Sequence, residues 1–381
     1  MALVFTKDIS ETQWLTSENN RIIEFSDDDG SREPLFCDID ITGIETIRIF
    51  PLPDQSFWFN FKDYFSSLLS SYTDDIDYSG LDDTDIQTYI LDHSHVVWNN
   101  DIDITVTFDD DATESVTRTP FVTLAVEQEE KFRQGETIAS SDEFILSPFK
   151  LGTSNRYHLR YWNGYPFDFC YSRGISTNTT TQNITNNTNA VSTPDFDLLN
   201  DCHRIVISDG DTTQTLEDFV SFTDGHNELE LTTSLFIDLW KMDSDCGVYL
   251  KWLNNYGGWS YWLFNEQHER SNRSRNKGVL NSDNYNLGGT NSPYRSLGVD
   301  MEDKLRAVAE GLTHDDINVL KGIIRSPKIY WFLGDRFTTN DADKWIEVTI
   351  DNTSIVERDF RNNVPNVDIA LNLPKLHTIS L

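Results

Sequence analysis

The chain has 381 residues, with 30 Lys and Arg against 63 Asp and Glu and a formal net charge of −33 at pH 7. Duplex phosphate and anionic lipid would repel such a molecule, which excludes a general nucleic-acid binder or a membrane-surface protein. The length exceeds that of one ordinary domain and permits a sizeable core, so two domains are the default.

The N-terminus, MALVFTKDISETQWL, lacks a basic region followed by a long apolar run, and no segment approaches bilayer length. The protein is therefore expected to be made and folded in a cytosol, or to leave it without a signal peptide. RIIEF, CDIDITGIETIRIFP and SFWFNF are short stretches rich in Ile, Phe and Trp, divided by Asp, Gly and Pro, and they read as strands and turns. FKDYFSSLLSSY then places Phe61, Tyr64, Phe65, Leu68 and Leu69 at spacings of three and four, which predicts a helix over about 60–72 plugging a sheet.

DIDYSGLDDTDI follows, with oxygen donors Asp75, Asp77, Ser79 and Asp83 near the spacing of a calcium loop. Ile86 stands where a bidentate Glu belongs, so the stretch reads as an acidic turn and no cofactor is expected, with Ca²⁺ kept as the alternative. His93 and His95 would share a strand face near Asp101 and Asp103, but a third ligand of similar quality is missing, and a solvated face is the simpler reading. HVVWN, DIDITVTFD and TPFVTLAVEQ read as further strands, the second alternating acid-out and apolar-in. A soft boundary falls at about 130–152, dividing an N-terminal β domain, 1–148, from a β-rich region, 149–381.

In the second half, STNTTTQNITNNTNAVSTP is a Thr/Asn tract expected to form a mobile surface loop over 176–194 that buries no core. Its N-x-Thr triplets at Asn178, Asn183 and Asn186 read as loop composition. HLRYWNGY at 158–165 echoes YLKWLNNY at 249–256, which suggests two hairpins of similar build. CGVYLKWLNNYGGWSYWLF concentrates Trp252, Tyr256, Trp259, Tyr261 and Trp262 around Gly257-Gly258. Such rings either fill a core between two sheets or anchor a subunit interface, and both roles are expected of this segment. HERSNRSRNK, directly after it, is a basic cluster of Arg270, Arg273, Arg275 and Lys277, suited to docking an acidic neighbour such as another copy. HDDINVLKGIIRSP reads as a helix over about 314–325 with acids in its first turn, and KIYWFLG and KWIEVTID return to strand.

The fold class is thus mainly β, with two or more sandwich-like or barrel-like domains and two or three isolated helices. Cys37, Cys170, Cys202 and Cys246 form no C-x-x-C pair and read as ordinary buried thiols. No G-x-S-x-G, H-E-x-x-H or phosphate-binding glycine loop occurs. Glu143, Asp168 and Glu266 lie near aromatics, the only hint of a two-carboxylate glycan hydrolase.

The order LVFTKDIS, IDITGIETIRIFP, SFWFNFKDYFSSLL, RYHLRYWNGYPFDF, KWLNNYGGWSYWLF and INVLKGIIRSPKIYWFLG before KWIEVTIDN resembles structural proteins of tailed bacteriophages infecting Bacteroidota. The resemblance spans most of the chain and carries over no active-site residues. It implies a non-enzymatic virion component at the tail end or baseplate, a distal tail or hub-type protein. Its expected partners are copies of itself and other tail proteins. A carbohydrate-binding tail adhesin that recognises a host surface glycan is the alternative, ahead of a glycan hydrolase.

Overall fold

The computed structural model describes residues 3–28, 32–69, 81, 82, 84–126, 138–147, 155–175, 179–199, 201–211, 216–281, 294–351, 354, 355 and 366–374. These residues are mainly β, as expected: eight sheets and two α-helices, Lys62–Leu69 and His314–Leu320.

A first core lies between two small antiparallel sheets. One contains Leu3–Lys7, Ile22–Asp27 and Phe57–Asn60; the other runs Thr113–Arg118, Ile102–Phe108, Pro34–Ile41, Ile47–Ile49. Strict alternation in Ile102–Phe108 sends Ile102, Ile104, Val106 and Phe108 inward, against Ile23, Phe25, Phe57 and Phe59 of the facing sheet. The helix begins where the Asn60 side chain accepts from the backbone N–H of Lys62, and it closes this core with Phe65 and Leu69. Of the expected span 60–72, residues 70–72 lie outside the described set.

The second core is larger. It is walled by a five-stranded sheet that includes Arg156–Trp162, a four-stranded sheet built on Pro166–Ser172 and Cys202–Asp209, and an eight-stranded sheet that includes Val248–Leu253 and Trp259–Phe264. Those last four strands are buried at every position, so they lack the alternation of a half-exposed strand. Their polar residues are matched internally: Arg204 donates to Asp168 at 2.6 Å, and the Tyr261 hydroxyl donates to the same carboxylate at 2.7 Å.

Four expectations need correction. The two aromatic echoes are not alike. Val248–Leu253 and Trp259–Phe264 form a hairpin, whereas Arg156–Trp162 pairs in parallel with Leu235–Met242 while Pro166–Ser172 joins a different sheet. The turn between them, at Gly164, is a corner between sheets. The helix expected over 314–325 ends at Leu320, and a separate 3₁₀ turn occupies Ile323–Arg325; a Cβ at the intervening Gly322 would lie 3.0 Å from Trp252 Nε1. Its start is as read, with Thr313 and Asp316 forming a capping box.

The Thr/Asn tract is the third. Its described part, 179–194, holds the short strands Thr180–Gln182, Thr185–Asn186 and Val191–Ser192, and buries Ile184, Asn186 and Thr193. The amide of Asn186 donates to Ser221 O at 2.8 Å and to Asn227 Oδ1 at 3.2 Å, so side-chain pairing compensates for the scarcity of apolar residues.

The two cores also fail to divide at about 148. Ile86, Tyr89, Ile90, Val96, Phe121, Phe144, Ile145 and Leu146 belong to the second core, and Ile90–Asp92 pairs with Cys202–Asp209. Among the described residues no helix is long and apolar enough to cross a membrane.

Candidate functional site

The aromatic hairpin is folded around one asparagine. Asn254 Oδ1 accepts from the backbone N–H groups of Tyr256 and Gly258, while its amide donates to Leu146 O at 2.8 Å and to Ser260 Oγ at 3.1 Å. Gly257 has φ +85°, and a Cβ there would lie 2.4 Å from Leu124 O; a Cβ on Gly258 would lie 2.3 Å from Leu146 O. The glycine pair therefore lets the hairpin tip press against two neighbouring backbones.

That placement corrects the interface expectation for the rings. Trp252, Tyr256, Trp259, Tyr261 and Trp262 are all 7% exposed or less and belong to the second core. Tyr256 stacks on Trp14 at 5.6 Å, Trp262 meets Trp162 edge-on at 5.1 Å, and Tyr261 meets Phe167 at 5.3 Å. Three rings also serve a residue that spacing gave no means of singling out. Lys251 is 1% exposed, and its ammonium lies 4.7 Å from the Trp259 ring, 4.8 Å from Trp345 and 5.6 Å from Tyr330. The aromatic density is what lets a cation sit inside this sheet.

The arginines lie elsewhere. His268–Asn276 is the last strand of the eight-stranded sheet and pairs with Val299–Ala309, and every one of its nine residues is exposed. Beyond it, Val279–Asn281 pairs with Tyr294–Ser296, which continues the same two strands as a ribbon. The basic cluster is partly matched across the ribbon: Arg270 pairs with Asp303, Arg273 stands opposite Glu302, Arg275 opposite Asp300, and Lys277 lies 3.1 Å from Asp300. Near its end Val279, Leu280 and Leu297 are exposed.

The remaining candidates do not converge. Asp75, Asp77, Ser79 and Asp83 of the acidic loop lie outside the described residues. His93 is fully buried with its Nε2 3.4 Å from Gly257 O; burial, then the Arg204 and His95 charges, holds its imidazole well below the usual range. No group of three or more His, Cys, Asp or Glu among the described residues is placed to hold a metal ion. Asp168 is the buried partner of Arg204, Glu266 lines an exposed cleft with His268 and Arg306, and Glu143 lines neither of these places. Burial pushes the Cys37 and Cys170 thiols up to about 12, which makes them inert packing residues, whereas Cys246 is exposed, against the expectation that all four are buried.

One polar cleft was not legible in the sequence, because separate turns build it. It has a volume of about 330 Å³ and is lined by Asp211, Glu217, Asp218, Phe222 and Phe337 among others. Phe337 is held at φ 60°, with its backbone N–H on Gly164 O at 2.8 Å and its ring exposed. Beside it Asp209 is 1% exposed and its carboxyl is pushed up to about 6, chiefly by burial and secondarily by the Asp211 and Asp218 charges.

No family model matches this chain, and no curated protein matches it. A solved structure described as a Ca²⁺-stabilised adhesin that helps an Antarctic bacterium reach out and bind ice aligns with 98% of this chain and 74% of its own, at 8% identity and a TM-score of 0.17. At that score the likeness carries no weight for fold or function.

Proposed function

We propose that this chain is a non-enzymatic structural subunit of a bacteriophage virion, at the tail end or baseplate, which works by assembling into a ring or adaptor. The observation that carries the reading is the ribbon of residues 268–281 and 294–309: an edge strand exposed along its whole length, ending in uncovered apolar side chains. Exposed strand edges and apolar tips are liabilities in a lone molecule and assets in one that is covered by a neighbour. The resemblance in motif order supplies the virion context. Negative-stain imaging of the pure protein, together with immunogold labelling of virions, tests it: rings or label at the tail tip are expected, and label confined to the capsid overturns it.

A second reading, a glycan-binding tail adhesin, is favoured by the polar cleft, where the exposed Phe337 ring stands beside Asp211, Glu217 and Asp218. Aromatic faces with neighbouring carboxylates suit sugar C–H faces and hydroxyls. Titration with neutral oligosaccharides, monitored by calorimetry in the wild type and in Phe337→Ala, separates the two readings.

A further inference from the structure

We propose that the ribbon of one copy docks head to tail on the acidic outer face of the N-terminal four-stranded sheet of a second copy. This rests on the assembling-subunit reading and names both halves of the contact.

The ribbon half is the donor of positive charge. Over residues 268–306 there are seven Lys and Arg against five Asp and Glu, in a chain that carries 30 against 63 as a whole. Its free edge, that of His268–Asn276, pairs with no other strand among the described residues, so a row of backbone N–H and C=O groups accompanies the exposed Arg273 and Arg275.

The receiving half lies on Pro34–Ile41 and its neighbours. Asp40 and Asp103 stand directly opposite one another on adjacent strands, both exposed. Like charges in that position destabilise a sheet, so the pair calls for a compensating cation from outside the molecule. Asp103 accepts from the Thr117 hydroxyl at 2.5 Å and Asp38 is held by Arg48, whereas the Asp40 carboxylate makes no hydrogen bond or ion pair among the described residues. At the edge of the same sheet, just past Ile47–Ile49, Phe50 is 70% exposed and Leu52 is 47% exposed.

The two halves match in order and span. From Arg275 to Val279, on the same face of the strand, is four residues, about 14 Å. Ile39 pairs with Ile47, so Asp40 lies beside residue 46, and Phe50 is four residues further along, about 14 Å away. Laid along Pro34–Ile41 with Arg275 over the Asp40–Asp103 pair and Arg273 flanking it, the ribbon thus carries Val279 of its apolar tip toward Phe50 and Leu52. The donor and receiver are different surfaces of one chain, so the contact is heterologous and repeats from copy to copy, closing a ring if the rotation permits. Copies at −33 repel, and beyond a Debye length of about 8 Å that repulsion is screened at physiological salt, leaving short-range complementarity to decide.

Sedimentation velocity tests the contact on four full-length proteins: wild type, Arg273→Glu with Arg275→Glu, Asp40→Arg with Asp103→Arg, and the chain carrying all four changes. Each double variant is expected to lose self-association at least tenfold; Arg273→Glu and Arg275→Glu also set like charges against Glu302 and Asp300 across the ribbon and lower the melting temperature somewhat, so the deciding result is that the fourfold chain and an equimolar mixture of the two double variants regain self-association. Should a charge reversal disturb folding, the milder Arg273→Ser and Asp40→Asn form a double-mutant cycle in which each change alone weakens self-association and the two together weaken it by less than their sum; additive losses overturn the contact. Self-association that survives both reversals, or that the fourfold chain fails to regain, overturns the contact while leaving the assembling-subunit reading in place. A wild type that stays monomeric at all concentrations overturns self-docking, and tail labelling then decides separately whether the virion reading stands.

Discussion

Gly258 shows how much of this fold hangs on single positions. Its Cβ-less backbone admits Leu146 O and also lies against Cys170. Gly258→Ala is expected to cost about 3 kcal/mol or more, because backbone atoms on the far side cannot yield. Gly225→Ala is the control for contact: unlike Gly258 it has a positive φ, +90°, but no atom lies within 4 Å of the added Cβ, and the cost should stay at about 1–2 kcal/mol. Urea unfolding of the two variants makes the comparison. Asp209 gives a pH-dependent counterpart. Its folded-state value of about 6 lies above the ordinary 3.8, so the native state holds the proton more tightly than the unfolded chain. Stability from this group is present below pH 4 and is lost as pH rises through 6. Asp209→Asn should therefore be more stable than wild type at pH 8, by on the order of 2 kcal/mol, and equal to it near pH 4, as read by melting at both pH values. A glycine pair between aromatic runs was visible as a tight turn in the sequence. What the two glycines touch was not, since Leu124 and Leu146 lie more than a hundred residues away.

Strands with one exposed face were legible wherever alternation survived. DIDITVTF fixed both the span and the inward set of Ile102–Phe108, and RIIEF, KIYWFLG and KWIEVTID marked strands within a residue or two. Alternation fails where both faces are covered, and so the rings of Trp259–Phe264 could not be assigned to core or surface from their spacing. The Thr/Asn tract misleads for the opposite reason. Composition reports apolar burial, yet this element is held by amides. Besides its bonds to Ser221 and Asn227, Asn186 accepts from the backbone N–H of Thr188 at 3.0 Å, and it is 0% exposed. Asn186→Ala would strand those partners in a dry site and is expected to cost about 1–3 kcal/mol, whereas Asn183→Ala, at an exposed contact with Asp195, should cost under about 0.5 kcal/mol. Chemical denaturation of both variants decides whether the tract is an integral part of the sheet; equal small effects would show that it is not.

At the scale of the whole molecule, the boundary read at about 148 follows composition, whereas packing follows contacts across it. Residues before that boundary supply Ile90–Asp92 to the edge of Cys202–Asp209, and Phe144 and Ile145 to the edge of Pro166–Ser172. They also supply Trp14 against Tyr256, and Val126, whose backbone N–H donates to Asn255 O at 2.8 Å. None of these partners is near the other in sequence, so no local pattern announces them. A fragment 149–381 would expose two strand edges together with the apolar sockets left by Tyr89, Phe121 and Phe144, a combination that favours aggregation over independent folding. The expected outcome is that 149–381 expressed alone is insoluble. Co-expression with 1–148 should return both pieces to solution as one complex, eluting in size exclusion at the position of the intact chain. Soluble 149–381 with a melting transition like that of the full protein would mean that the second core closes without the first, and that these crossing segments merely decorate it.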